Sequence, residues 1–308
     1  MSVRVRVPAT SANLGPGFDV LGLSLSLYNI LEFAERPGHS VRIEVSGEGV
    51  DEVPRTADYN LVYRGFARYF ETRGRKPPGV WLHLNNNIPV TRGLGSSATA
   101  IVSGLCAAAA LDGQPLSREE LFDLAVQIEG HPDNVAPAIY GGIVVSGVYE
   151  EGESRRIHKL RFQPPEGLTC VVAVPQFLLS TGLARRVLPS EVSFAEAASN
   201  VRNVALLVGA LAQGDLRQLT AILPDVLGDC LHQPYRLPLI KGGDKAMQAA
   251  REAGALAVAI SGSGPSLIAF ATENELAIGD AMRQAFARAG VSTRILQVKP
   301  ETEGVHLL

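Results

Sequence analysis

The stretch Pro89-Val90-Thr91-Arg92-Gly93-Leu94-Gly95-Ser96-Ser97-Ala98-Thr99, with the apolar run beyond it to Leu111, constrains the fold more than any other part of the chain. Two glycines one residue apart allow a turn tight enough to approach a ligand without Cβ hindrance. Ser96 or Ser97 is suited to cap a helix starting there. From Ala98 to Leu111 there is no charge and no proline, and only Gly104 weakens the helix propensity, so the segment reads as a buried helix. The free amides at the start of such a helix, and the positive end of its dipole, make an anion site, and phosphate is the usual anion.

Three readings compete for this loop. It lacks the lysine of G-x-x-x-x-G-K-[ST] and is not a Walker A loop. Gly93-x-Gly95-x-x-Ala98 satisfies the loose dinucleotide pattern, which would make the chain an NAD-binding oxidoreductase. That pattern should come directly after a first strand, whereas Asn85-Asn86-Asn87-Ile88-Pro89 intervenes here. A second reading is a small-residue turn packed on a helix. A phosphate cradle of non-Walker type accounts for most of the features.

With 308 residues and 46% hydrophobic content, the chain has material for a large core and for two domains. A net charge of −3 and no dominant basic cluster argue against nucleic acid as a partner. Three widely spaced cysteines, Cys106, Cys170 and Cys230, fit reduced structural thiols. Val3-Arg4-Val5-Arg6-Val7 is no signal-peptide core, and Leu94 to Leu111 falls short of a membrane span. These features lead us to expect a cytoplasmic protein with no membrane partner.

Alternation predicts a strand from Val3 to Val7 ended by Pro8, and further strands over Leu21–Phe33, Val41–Val45 and Val80–Leu84. Between the first two lies a loop of small residues, Ala9 to Asp19. Asn60 to Arg73 has helical spacing. Ser117-Arg118-Glu119-Glu120 is a capping box opening a helix that Gly130 and Pro132 should stop. Gly142–Val148 reads as a strand, and the charged patch Glu150 to Arg161 as a turn before a boundary at Pro164-Pro165.

The remainder runs strand Thr169–Val174, helix Phe194–Ala212, strands Leu256–Ile260 and Ser266–Phe270, helix Asn274–Ala289 and strand Thr293–Val298. Extra helices are expected between Asp215 and Gly254. That order is the ferredoxin-like split βαβ pattern. The fold class expected is α+β, in two domains, 1–164 and 165–308.

Chemistry concentrates in three small-residue loops, Thr10–Asp19, Pro89–Thr99 and Ser261–Ser266, and in the corner Glu129-Gly130-His131-Pro132-Asp133-Asn134. Taken alone, each loop could be turn chemistry, and the corner a polar helix end. The functional alternative pairs Glu129 with Ser97 as hard-oxygen ligands for Mg²⁺ on bound phosphates. Arg185, Arg186 and Arg236 are candidate forks for an anion, Arg236 in a proline-flanked segment that fixes its backbone.

Together these motifs resemble a known family. Pro89-x-x-x-Gly93-Leu94-Gly95-Ser96-Ser97-Ala98 resembles the ATP-binding signature of the GHMP small-molecule kinases, and Ser261-Gly262-Ser263-Gly264-Pro265-Ser266 their third glycine motif. Pro8 to Asp19, His131-Pro132-Asp133-Asn134-Val135-Ala136-Pro137, Ser180-Thr181-x-x-Ala184-Arg185 and Arg236 are similar to the homoserine kinase branch. The resemblance implies an N-terminal domain like domain 2 of ribosomal protein S5, a ferredoxin-like C-terminal domain, and a homodimer. It implies ATP-dependent phosphorylation of L-homoserine to O-phospho-L-homoserine, a step of threonine biosynthesis.

On this resemblance, ATP falls on Pro89, Val90, Thr91, Arg92, Gly93, Leu94, Gly95, Ser96, Ser97, Ala98 and Thr99, with Gly262, Ser263 and Gly264 as the third motif. Mg²⁺ falls on Ser97 and Glu129, and the amino acid on Asn13, Asp19, His131, Asn134, Thr181, Arg185 and Arg236. One departure is that the single Gly130 separates Glu129 from His131, fewer residues than in several homoserine kinases. Homoserine is a zwitterion, so Asp19 should meet its ammonium and Arg185 and Arg236 its carboxylate. Asn134 is expected to orient the attacking hydroxyl, with Asp133 as the alternative base and Arg185 beside them. A mevalonate or sugar kinase of the same superfamily is the other reading.

Overall fold

Period-two alternation carries the first strand further than Pro8. In the computed structural model, which describes residues 1–152 and 154–308, β1 spans Ser2–Ala12. It pairs antiparallel with β2, Leu21–Arg36, and the register slips between Pro8 and Ala9. A proline lacks the ladder N–H, and a bulge tolerates that loss, so Pro8 bends the strand instead of ending it. Ser26, passed over at the slip, donates its amide to Lys299 instead.

Then come β3 (Val41–Gly47), α1 (Leu61–Glu71, capped by the Asn60 side chain), β4 (Gly79–Asn86), α2 (Ser96–Leu111) and α3 (Arg118–Glu129, with the expected capping box). Gly130 ends α3 in the left-handed region at φ 89°. Pro132 does not act as a second stop. It opens α4, Pro132–Tyr140, at the first helical position, where its missing N–H costs nothing. Next are β5 (Ile143–Glu151) and β6 (Ser154–Phe162). The charged patch Glu150–Arg161, in which position 153 lies outside the described residues, is thus mainly the second strand of an antiparallel hairpin and not a turn. Charges on a strand with one wet face mislead a reading by polarity alone.

The second half is β7 (Thr169–Pro175), α5 (Thr181–Arg186), α6 (Phe194–Gln213), α7 (Leu216–Val226), α8 (Gln233–Arg236), α9 (Gly243–Glu252), β8 (Ala257–Ile260), β9 (Leu267–Ala271), α10 (Glu275–Arg288), β10 (Thr293–Val298) and β11 (His306–Leu307). Its sheet runs β10-β7-β9-β8 with every pair antiparallel, the order of a split βαβ unit. The first sheet runs β11-β1-β2-β4-β3, with β5 also on β2 and β6 on β5, and only β3–β4 parallel. The chain therefore changes sheet between Phe162 and Thr169, and its last strand returns to the first sheet.

One core joins the first sheet to α1–α4. There Gly104 is a contact and not a weak point, because a Cβ on it would lie 2.0 Å from the Val62 carbonyl of α1. A second core lies between the halves, where Leu14, Leu21, Leu23 and Ile143 meet Val172, Leu207, Leu223 and Ile268. A third packs α9 and α10 on the far face of the second sheet. Buried side chains across the second core hold the two halves against each other, and the three small-residue loops meet at its edge.

Candidate functional site

The loop before α2 turns through left-handed backbone at Thr91 (φ 56°), Gly93 (φ 76°) and Gly95 (φ 69°). The two glycines are required by space as well as by φ. A Cβ on Gly93 would sit 2.2 Å from the Ser261 carbonyl, and one on Gly95 would sit 1.8 Å from Thr10 Oγ1. Gly95 takes the cap position itself, with no side-chain cap, so neither Ser96 nor Ser97 caps α2. Their hydroxyls are turned to other partners: Ser96 Oγ accepts from the Thr91 amide at 3.3 Å, and Ser97 Oγ donates to Glu129 at 2.6 Å. The amides of the first turn of α2 remain available to an anion.

A cleft of about 150 Å³ opens in front of that turn. Thr91, Gly93, Gly95, Ser96 and Ser97 line it, together with Glu129, His131, Asp133, Asn134, Asn13, Asp19, Thr181, Arg185, Arg236, Gly262 and Ser263. The remaining residues of the expected ATP loop do not line it. Leu94, Ala98 and Thr99 are buried, and Arg92 folds back onto Glu52 and the Val90 carbonyl. Gly264 is buried behind Gly262 and Ser263.

A second cavity, of about 370 Å³, shares Thr91, Ser96 and Ser97 with the first and runs away from it between Val53, Tyr59, Leu61 and Val62. The sequence marks only the edge of it formed by the glycine loop and α2, because its other walls come from α1, β2, β4 and the loop near Pro54, which carry no recognisable motif.

At the other end of the cleft the loop after β1 is held in sparsely populated backbone: Asn13 (φ 70°), Leu14 (φ 46°) and Asp19 (φ 57°). Asn13 explains the shape, since its Oδ1 accepts from the Asp19 amide at 3.0 Å and its Nδ2 donates to the Gly262 carbonyl at 2.8 Å. Asp19 receives a bidentate pair from Arg185 of α5, at 2.7 and 3.0 Å. The expected ammonium partner and one expected carboxylate partner are thus bound to each other. Arg236, nearly fully buried, donates Nε to the Ala184 carbonyl at 3.1 Å and Nη1 to the Gly262 carbonyl and to His232, both at 3.3 Å. Phe18 lies beneath both guanidiniums, at 5.7 and 5.1 Å.

Between the two ends sits the start of α4. Thr10 donates to Asn134 Oδ1 at 2.8 Å, and Asn134 Nδ2 approaches Asp133 Oδ1 at 3.3 Å. Burial, with Asp19 next in effect, pushes the Asp133 carboxyl up to about 7. Burial also raises Glu129 above the usual carboxylate range, and burial, with Arg185 second, holds His131 below that of a free imidazole. Sequence patterns alone do not single out Thr10, Phe18 or His232. Thr10 and Phe18 lie in the small-residue loop after β1, and His232 lies four residues before Arg236, but only the folded contacts give them a role.

The comparisons with known proteins agree with this geometry. The model of the GHMP kinase N-terminal domain matches residues 60–142 and that of the GHMP kinase C-terminal domain residues 207–288. Fold and site thus define a small-molecule kinase with an anion-seating helix start. Homoserine kinase from Moorella thermoacetica is 47% identical over 97% of this chain and 98% of its own length, and that from Carboxydothermus hydrogenoformans 44% over 98% and 95%. The crystal structure of homoserine kinase from Cytophaga hutchinsonii superposes with a TM-score of 0.87 at 30% identity, covering 100% of this chain and 97% of that one. Mevalonate kinase from Methanococcus jannaschii, with a TM-score of 0.67 at 13% identity, shares the fold. The chain belongs to the GHMP kinases and, within them, to the homoserine kinase family.

Proposed function

We propose that the protein transfers the γ-phosphoryl group of ATP to the side-chain hydroxyl of L-homoserine, giving O-phospho-L-homoserine and ADP for threonine biosynthesis. The observation that carries this reading is one cleft with an anion-seating helix start at one end and an Asp/Arg-lined pocket at the other. The triphosphate lies against Gly93–Ser97, and the base extends into the cavity beside Tyr59 and Val62. Domain 1–164 supplies the nucleotide seat and domain 165–308 most of the far wall.

The donor set fits a hard divalent ion. The Ser97 hydroxyl and a Glu129 carboxylate oxygen are hard oxygen donors that already touch, one hydrogen-bonded to the other, so a small ion between them would replace that bond. Two protein oxygens suffice for such an ion, because phosphate and water complete its octahedron. Bound there, Mg²⁺ would neutralise charge on the β- and γ-phosphates.

On the acceptor side, Arg236 takes the carboxylate of homoserine, while Asp19 and Arg185 offer its ammonium and carboxylate opposite charges once they part. Asn13, His131 and Thr181 shape the pocket between them. Asn134, fixed by Thr10, orients the hydroxyl toward phosphorus. An O–Pγ bond forms as the bond from Pγ to the bridging β-phosphate oxygen breaks; ADP leaves with that electron pair, and the hydroxyl proton passes to a phosphoryl oxygen and on to solvent. Because the transition state is loose, positioning and charge neutralisation do most of the work, and no strong base is required. A second reading, with Asp133 receiving the hydroxyl proton, is favoured by its carboxyl lying near 7, where it is partly ionised at neutral pH.

No helix among the described residues is long and apolar enough to cross a membrane. A cytoplasmic homodimer accompanies the reading on family resemblance, and sedimentation tests its stoichiometry. ATP consumption with homoserine, mevalonate, galactose, serine and threonine as acceptors tests the whole. We expect homoserine to give the highest kcat/KM. Preference for another acceptor would overturn the assignment.

A further inference from the structure

Arg185 and Arg236 both face the cleft, yet they are held differently. Arg185 lays its fork on a carboxylate, Asp19. Arg236 is hydrogen-bonded only to neutral acceptors: the carbonyls of Ala184 and Gly262, and His232 Nδ1. These bonds occupy Nε and Nη1 and leave Nη2 without a protein partner among the described residues. An arginine fixed by neutral groups keeps its attraction for an incoming anion, whereas one neutralised by a carboxylate does not.

The protonation state of His232 is set by its partners. It is fully buried, and its Nε2 lies 2.8 Å from the Gly15 carbonyl and 3.6 Å from Asp229 Oδ2. Both oxygens can only accept, so Nε2 carries the proton. Nδ1 faces Nη1 of Arg236, which can only donate, so Nδ1 must be bare. A second proton on the ring would press an N–H against a guanidinium. Burial first, and Arg236 among its neighbours, favour the neutral ring against the pull of Asp229.

The backbone before the histidine is equally fixed. Asp229 accepts from the amides of Leu231, His232 and Gln233, and Phe18 stacks on the imidazole at 5.3 Å.

We propose that His232, which lines no part of the cleft, is a positioning residue: as the Nε2–H tautomer it offers a neutral acceptor that aims Arg236, whose fork no carboxylate occupies, at the carboxylate of the acceptor substrate. This rests on the assignment of Arg236 to that carboxylate. It extends that assignment by tying selection for amino-acid alcohols to a residue that never meets the ligand.

The test uses two substitutions of opposite geometry. An Asn side chain places its amide near the Nδ1 position and can still accept from Arg236, whereas Gln reaches the Nε2 position and cannot. For His232→Gln we expect KM for homoserine to rise about tenfold or more, the worth of one charge-assisted hydrogen bond, with KM for ATP unchanged. His232→Asn should restore most of that loss. With 3-aminopropan-1-ol, homoserine without its carboxylate, wild type and both variants should react alike.

Equal damage from both substitutions, or a His232→Gln defect that persists with the carboxylate-free alcohol, would overturn the proposal. Should His232→Gln not fold, ¹⁵N-histidine spectra of the wild type decide instead. A protonated Nε2 with a bare Nδ1 at neutral pH supports the proposal, and an imidazolium or the other tautomer refutes it. If Arg236→Ala leaves KM for homoserine unchanged, the underlying carboxylate assignment is what has failed.

Discussion

The two ends of the cleft are built on opposite plans. The anion seat is one continuous segment, Thr91 to Ser97, running into one buried helix, and its geometry is dictated by two glycines that no other residue can replace. The amino-acid pocket is assembled from the loop after β1, the start of α4, α5, α8 and the loop before β9, and is joined by bonds as distant in sequence as Asn13 to the Gly262 carbonyl. The seat uses backbone to meet a ligand whose charge is always the same. On the function proposed above, the pocket would use side chains to meet a zwitterion, and residues from both halves of the chain line it. Damage to the seat should therefore remove chemistry altogether, and damage to the pocket should cost selectivity first.

Substitutions can break that contrast. Gly95→Ala, whose Cβ would stand 1.8 Å from Thr10 Oγ1, should lower kcat/KM by about 10³-fold or more with every acceptor, beyond the loss of one oxyanion donor. Steady-state kinetics on the folded variant check it, and near-normal activity would break the contrast at its strong end.

Asp133 sits where the two ends meet, and its effect is on stability. Its carboxyl lies at about 7 in the folded chain against an ordinary value of 3.8, so the folded state binds the proton more tightly. Stability is retained below the unfolded pKa and is lost as pH climbs through 7. Asp133→Asn should match wild type near pH 4 and gain on it as pH rises, by at most about 4 kcal/mol above neutrality. Thermal melts of the pair from pH 4 to 8 read the difference, and a gap that does not widen with pH would contradict the burial argument.

Arg236→Ala should raise KM for homoserine about 30-fold while leaving KM for ATP within about threefold, since one charge-assisted contact is worth roughly 2 kcal/mol. Equal effects on both substrates would blur the two ends into one site. The smallest effect is the stability change on replacing Asp19 with Asn. The Asp19–Arg185 pair is a third exposed on each side, so its loss should cost less than about 1 kcal/mol in denaturant unfolding even as homoserine binding weakens.

The same contrast explains what could be read from residue order alone. The glycine turn running into α2, α1, and α3 with its capping box were legible because each is fixed by neighbours within a few residues, and the split βαβ pattern because the succession of its elements along the chain announces it. Features set by distant partners were not. Pro8 looks like a strand end until β2 supplies the bulge, and Pro132 like a stop until α4 is seen to begin on it. The charged strand β6 hides for the same reason, since only pairing with β5 makes it a strand. In the pocket, residue types pointed to side chains that the fold brings to one cleft, but not to the fact that Asp19 and Arg185 hold each other, nor to His232 behind Arg236. The cavity beside Tyr59 had no motif to announce it.

Ser261 has a wider consequence. Its hydroxyl lies 2.7 Å from the Gly93 carbonyl and 2.8 Å from Ser11 Oγ, so a single buried side chain knots β1, the nucleotide loop and the third glycine loop together at the bottom of the crevice. Parting the halves like a book would have to break both of these bonds. At the upper margin, by contrast, the two sides meet through the Asp19–Arg185 pair, a third exposed, and the helix carrying Arg185 is only six residues long. The floor of the crevice is thus tied by a buried hydroxyl and its rim by an ion pair open to water, so salt weakens the rim and leaves the floor as it is.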